Sequence, residues 1–346
     1  MNPGVFVGVD SGGTRTNVEV VVRNESGQER RSTYEAGESL SGALDPVLIP
    51  KVLGRLLAPL AMHLDEMSSD DLPTYVWVSA AGYTPWTRDE FNTAILEVGP
   101  TLSGQVIAVG TANDAVSLLL GSGAQGIVIA GTGSSVIVRS SDGAMHQAGG
   151  HEWVACDYGS GFWIGLDAIR RAFRDFEAGT ESVLLQRLRE AYGVRASDHR
   201  GLIAKMRDLA IADPNMKAEI ARFTVSVCGA AERGDLASQN LVKGAAEDLA
   251  DVMAIAIRRR LTTDELAGGI RLVECGSLLN NPFYRSAFES QIDMRLRSGL
   301  EKPVAISWDR ALTGSGACVA LARRLTEPHL DIMRLPVEFR PSIIQF

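Results

Sequence analysis

At 346 residues the chain is long enough for two domains of ordinary size, and its 45% apolar and 22% charged residues are those of a folded globular protein. A net charge of −8, from 34 Lys and Arg against 42 Asp and Glu, gives no support to a nucleic-acid or anionic-membrane surface. No apolar run approaches the ~18 residues of a membrane span, and MNPGVFVGVD lacks a basic start followed by an apolar core, so the expectation is a cytoplasmic protein.

Two β-branched runs, Val5–Val9 and Val18–Val22, read as antiparallel strands around a turn of Asp10, Ser11, Gly12, Gly13, Thr14, Arg15, Thr16 and Asn17. Glu29–Tyr34 predicts a third strand. Pro46–His63 carries Val47, Ile49, Val52, Leu53, Leu56, Leu57 and Leu60 at helical spacing, with one broad apolar face. Tyr75–Ser79 predicts a strand. Thr87–Val98 predicts a helix with Thr87 as N-cap and Glu90 as its capping-box partner. Val106–Val109 reads as a short strand, and Ala115–Leu120 as the first turns of the next helix.

The grammar then restarts. Strands are expected at Ile127–Ala130, Ser135–Arg139 and Met145–Gln147, a polar loop at Gly149–Gly161, and a helix at Phe162–Phe176. Further helices are expected at Leu184–Tyr192, Gly201–Leu209, Lys217–Glu232 and Asp235–Leu261. Strands at Arg271–Cys275 and Val304–Ser307 and a helix at Gly314–Arg324 close the pattern. The tail from Pro328 is ordered only if something packs it down. A domain boundary falls near Gly121–Gln125, giving domains at 1–120 and 121–313, with the last helix (about 314–326) returning to the first. Cys156, Cys228, Cys275 and Cys318 form no CxxC pair and read as mostly buried free thiols.

The first turn places a carboxylate, two glycines and two threonines within seven residues. Glycines let amides approach an anion, hydroxyls add donors, and Asp10 can hold a hydrated divalent cation. The alternative is a Gly-rich hairpin with a solvent-facing Asp. A second turn, Gly131, Thr132, Gly133 and Ser134, follows its own strand in the same register. Asp114 stands where a strand gives way to a helix. It is either a general base within reach of an attacking hydroxyl or a helix cap.

These features resemble the N-acetylglucosamine kinase-like branch of the BadF/BadG/BcrA/BcrD ATPase family, within the actin-like ATPase and sugar kinase superfamily. The resemblance implies an α/β, duplicated two-domain fold of the actin-like (ribonuclease H-like) type with a central nucleotide cleft. It implies ATP and Mg2+ as cofactors, a sugar or aminosugar acceptor, and a homodimer. By the resemblance Asp114 is the catalytic base and Asp10 organises the metal. Gly12, Gly13, Thr14 and Thr16 form the first phosphate turn, and Gly131, Thr132, Gly133 and Ser134 the second. Gly276, Ser277 and Asn280 would serve the adenosine, although a plain strand-to-helix turn would look the same.

Gly149–Gly161, GGHEWVACDYGSG, keeps the family's Gly149, Gly150, Asp157, Gly159 and Ser160 but departs from it at His151, Glu152, Cys156 and Tyr158. The resemblance carries acceptor contacts onto Gly133, Gly150, Asp157 and Gly161, with Ser41 in the loop where the family has an Asn. Glu152 either lies on a restructured surface loop or brings a carboxylate to the acceptor, which would favour a free amine. Two other functions share parts of the pattern: an activator ATPase of a radical dehydratase, and a non-catalytic sugar-binding regulator. The first lacks a second well-placed cysteine, and the second has no need of both carboxylates and both turns.

Overall fold

The computed structural model describes residues 2–12, 15–40, 44–66, 72–102, 105–151, 153–211, 216–297, 303–310, 312–327 and 335–346. The chain divides into two compact units: Met1–Gln125, Ser141–Met145 and Asp309–Phe346 in one, Gly126–Ser140 and His146–Trp308 in the other.

The first unit opens with β1 (Gly4–Ser11), β2 (Thr16–Arg23) and β3 (Glu29–Ala36), then α1 (Ile49–Glu66), β4 (Pro73–Ala80), α2 (Arg88–Val98), β5 (Gln105–Asn113) and α3 (Asp114–Ser122). β1 pairs antiparallel with β2 and parallel with β4, and β4 runs parallel to β5. β1 and β2 are buried along almost their whole length, as near-continuous valine runs between covered faces must be. In α1, Ile49, Val52, Leu53, Leu56, Leu57 and Leu60 face the core as the spacing predicts. Val47 does not: it sits in a 3-10 turn before the helix and is 81% exposed.

Two local expectations are corrected here. Thr87 precedes α2 but makes no side-chain capping bond to the helix: its hydroxyl oxygen accepts instead from Thr84 N at 3.0 Å, and its proton goes to Gly82 O at 2.7 Å. β5 is nine residues long rather than four, since Gly110 in its second half leaves room for the buried ring of Trp77, where any Cβ would collide.

The second unit contains β6 (Gly126–Ala130), β7 (Ser134–Arg139) and β8 (Met145–Gly149), then α4 (Gly161–Glu177), α5 (Val183–Ala191), α6 (His199–Ala210), α7 (Met216–Glu232), α8 (Leu236–Arg260) and α9 (Thr263–Ala267). β9 (Ile270–Cys275), α10 (Pro282–Arg297) and β10 (Ile306–Asp309) complete it. The strand order is β10-β9-β6-β7-β8, with β6 antiparallel to β7 and parallel to β9. A central hairpin with a parallel strand on its far side thus recurs in both units. Gly165 of α4 lies against the Ile220 carbonyl of α7, a separation that no side chain would permit. The alanines of α8, among them Ala245, Ala246, Ala250 and Ala254, are buried in the helical core.

α11 (Gly314–Arg324) and β11 (Ser342–Gln345) belong to the first unit. β11 adds to the edge of β5, giving the order β11-β5-β4-β1-β2-β3. Tyr83 and Ser342 share a hydrogen bond of 2.8 Å, and Arg88 donates to Val337 O at 2.7 Å. The end of the tail is held by strand pairing and these bonds.

Candidate active site

In the first unit Asp10 lies one residue from the end of β1, in register with Ser79 of β4 and Asn17 of β2. Ser79 Oγ donates to its Oδ1 at 3.4 Å. Helix α11 crosses β1 so closely that a side chain at Gly8 would strike Ser315 O, and one at Gly314 would strike the Asp10 carboxylate. The Asp10 carboxylate therefore sits against the first turn of α11, the positive end of that helix. Burial and, second, the charge of Asp114 nevertheless raise its pKa from 3.8 to about 6, against the lowering effect of the Ser79 bond.

Asp114 is the first residue of α3. The capping position belongs to Asn113, whose side chain accepts from Ala115 N, so the cap reading of Asp114 is not required. Asp114 Oδ1 also accepts from Ala115 N, at 2.8 Å, and burial still pushes its pKa above the usual carboxylate range. Two carboxylates raised by burial, with the charge of one acting on the other, form an environment that can hold a proton acceptor and a divalent cation. Among the described residues no group of three or more His, Cys, Asp or Glu is gathered for a metal. A cation resting on Asp10 and completed by phosphate and water suits Mg2+, which is seldom caged by protein alone.

The base of the first turn is tied within the protein. Ser11 and Thr16 share a hydrogen bond of 2.8 Å, Thr16 Oγ1 donates to Glu38 O at 2.7 Å, and Leu40 N donates to Ser11 Oγ at 2.6 Å. Thr16 is fully buried and its proton is committed. Its bond to Glu38 O holds the base of the turn to the loop there. Gly12 N donates to Arg15 O across the turn. Gly13, Thr14, Ser41 and Glu152 lie outside the described residues.

In the second unit the turn Gly131–Ser134 is bound to the loop that follows Gly149. Gly161 N donates to Gly131 O at 2.7 Å, Phe162 N to Thr132 O at 3.1 Å, and Ser134 Oγ to Tyr158 O at 2.7 Å. Ser134 is buried, so its hydroxyl, like that of Thr16, braces the turn, whereas Thr132 is exposed. Asp157 is buried beside the turn, with Ser134 N 3.4 Å from its Oδ1. A Cβ on Gly133 would stand 3.1 Å from Asp157 Oδ2 and 3.2 Å from Lys217 Nζ. Gly150, at positive φ, faces Ser135 Oγ. Gly133, Asp157 and Gly161 are thus brought together, with Gly150 one strand position away at Ser135.

The residue that sequence reasoning missed is Lys217, whose Nζ is 2.6 Å from Asp157 Oδ2. Its only sequence signal was a charge in the first turn of a helix, where cations are disfavoured.

The Gly276 motif also reaches the second turn, but by backbone contact. At φ +106°, Gly276 lies against the Ala130 backbone, and Leu278 N donates to Ala130 O at 3.1 Å. Only glycine permits this approach to β6. Ser277 and Asn280 are exposed beside it.

Residues 7–307 match the BadF/BadG/BcrA/BcrD ATPase family. The chain is 27% identical over 277 residues to the N-acetylmuramic acid/N-acetylglucosamine kinase of Clostridium acetobutylicum, covering 76% of this chain and 84% of that protein. It is 28% identical over 203 residues to the N-acetyl-D-glucosamine kinase of Dictyostelium discoideum, covering 55% and 61%. Among solved structures, one from Chromobacterium violaceum, named for an N-acetylglucosamine kinase, superposes with a TM-score of 0.67 at 21% identity, over 92% of this chain and 99% of the other. A ROK family glucokinase from Streptomyces griseus, solved with glucose and AMPPNP, gives 0.51 at 16% identity, over 92% and 98%. These structural likenesses are of fold, the α/β actin-like ATPase fold expected from the duplicated strand pattern. With the match running over most of its length, the chain belongs to the BadF/BadG/BcrA/BcrD ATPase family.

Proposed function

We propose that this protein transfers the γ-phosphoryl group of ATP to a hydroxyl of a sugar or aminosugar of the N-acetylglucosamine or glucosamine type. The observation that carries the reading is the Asp10–Asp114 pair. Asn113 caps α3, so Asp114 is left as a carboxylate of raised pKa with no structural duty beyond one bond to Ala115 N. Such a group takes a proton more readily than an ordinary carboxylate, as phosphoryl transfer to an alcohol requires. The names of the Clostridium and Dictyostelium relatives support the sugar class of acceptor.

Asp10 would hold Mg2+, through water or directly. When bound, the ion neutralises charge on the phosphate oxygens. Gly12, Gly13 and Thr14 in the first unit, and Gly131, Thr132 and Gly133 in the second, would offer amides and a hydroxyl to phosphate. Ser277 and Asn280 would serve the nucleoside. Asp157 would accept from acceptor hydroxyls, with Gly133, Gly150, Gly161 and Ser41 near it. No helix among the described residues is long and apolar enough to cross a membrane. A cytoplasmic homodimer is the setting we propose.

The test is ADP release from purified protein with Mg-ATP across N-acetylglucosamine, N-acetylmuramic acid, glucosamine, glucose and cyclitols. Sugar-dependent ADP release with stoichiometric sugar phosphate supports the reading. ADP release indifferent to every sugar would refute it.

A further inference from the structure

We propose that Lys217 is a positioning residue that sets acceptor specificity: by pairing with Asp157 it neutralises the acceptor carboxylate in advance, so that the site selects a neutral, N-acylated sugar over its free amine. The inference rests on the kinase reading above and on Asp157 as its acceptor-binding group.

The pair is built rather than incidental. Lys217 is the second residue of α7, at the helix end where a cation is disfavoured, and the Asp157 carboxylate 2.6 Å away offsets that cost. On the C-terminal side of Lys217, α7 is clamped to the first turns of α4, the helix that follows the Asp157 loop. Thr224 donates to Gly161 O, and the Ile220 carbonyl lies in van der Waals contact with Gly165. These contacts hold the backbone of Lys217 at a fixed place beside α4, within reach of the carboxylate. The Asp157 side chain is 3% exposed and that of Lys217 is 27%, so solvent reaches the pair mainly from the lysine side. Gly133 lies against both ends of the pair, at a separation tighter than most side chains accept.

A buried carboxylate that already has its cation has little to gain from a second one. A hydroxyl can still donate to a free lone pair of Asp157, since a carboxylate offers about four acceptor positions. An ammonium on the acceptor would meet Lys217 and be repelled. Removing the lysine charge reverses the preference: Asp157 becomes an uncompensated buried carboxylate, for which an ammonium is the better partner.

The experiment measures kcat and KM for N-acetylglucosamine and glucosamine at pH 6.5, where an aliphatic amine is protonated, in wild type, Lys217→Met, Lys217→Gln and Lys217→Arg. Lys217→Gln keeps a donor toward Asp157 and guards against loss of folding in Lys217→Met, and melting temperatures accompany both. The wild type should prefer N-acetylglucosamine. In Lys217→Met and Lys217→Gln the KM for N-acetylglucosamine should rise, with kcat little changed, and the ratio of kcat/KM should move toward glucosamine by about tenfold. Lys217→Arg should keep the wild-type ratio. A merely structural lysine would lower both sugars alike. A ratio unchanged within about twofold in every folded variant would overturn the inference while leaving the kinase intact. If the wild type phosphorylates no sugar, the kinase reading falls, and the inference falls with it.

Discussion

Asp10→Asn should make the first unit more stable and the enzyme inactive. Burial and the charge of Asp114 lift the Asp10 pKa from 3.8 to about 6, so ionising this group costs more in the folded chain than in the unfolded one. At about 1.4 kcal/mol per pH unit the cost reaches about 3 kcal/mol, an upper figure because Asp10 is partly exposed. The folded state binds the extra proton, so stability from this group is fully present below pH 3.8 and is lost as pH rises through about 6. The gain from asparagine should therefore be small at pH 4, grow across pH 4 to 6, and stay flat above. In a unit of this size the upper figure corresponds to a rise of roughly 6–12 °C in melting temperature, so a smaller rise is expected.

The assay is denaturant and thermal unfolding of wild type and Asp10→Asn at pH 4.5, 5.5 and 7.5, with EDTA and no nucleotide. Saturating Mg-ATP should narrow the gap by stabilising the wild type alone. Part of the cost comes from Asp114, so the gain should shrink in an Asp114→Asn background. A variant less stable than wild type at pH 7.5, or a gain equal at all three pH values, would show that Asp10 is not held as a destabilised carboxylate.

Gly276→Ala should destabilise the second unit by about 3 kcal/mol, since it forces a Cβ into the Ala130 backbone at positive φ; urea unfolding checks it. Thr16→Val should lower stability by about 1–3 kcal/mol by stranding the Glu38 carbonyl, with a smaller effect on KM for ATP than Gly131→Ala. The acid limb of kcat/KM should lie well above pH 4, because both carboxylates must be ionised and both are raised, Asp10 to about 6. A pH–rate profile that stays flat down to pH 4.5 would contradict it.

Much of the fold was legible because its strands are long valine runs and its helices carry regular apolar faces. The hairpins at Val5–Val22 and Gly126–Val138 emerged from period and punctuation alone. What stayed hidden depends on partners distant in the chain. β5 was cut short because Gly110 reads as a strand breaker until Trp77 is seen filling its space. α10 passed unnoticed although Tyr284, Phe288, Ile292 and Leu296 recur every four residues, because charged residues dilute its apolar face. Thr87 is a good N-cap by type, yet its hydroxyl oxygen accepts from Thr84 N in the preceding turn instead. In the candidate site, residue types told which side chains could do chemistry, but not which were already engaged. Thr16 and Ser134 carry the right hydroxyls and bond them inward. Lys217 is 60 positions from Asp157, and no local pattern joins the two.

In the proposed reaction Asp114 accepts the proton of a sugar hydroxyl as it attacks ATP. The most direct measurement is sugar phosphate formed per ADP released, read by mass spectrometry, for wild type and Asp114→Asn with Mg-ATP and N-acetylglucosamine. Wild type should give one sugar phosphate per ADP. Asp114→Asn should fold with an equal or higher melting temperature and bind ATP, yet form product roughly 10²–10⁴-fold more slowly, as expected for loss of a general base. Near-normal product formation by a folded Asp114→Asn protein would contradict the account.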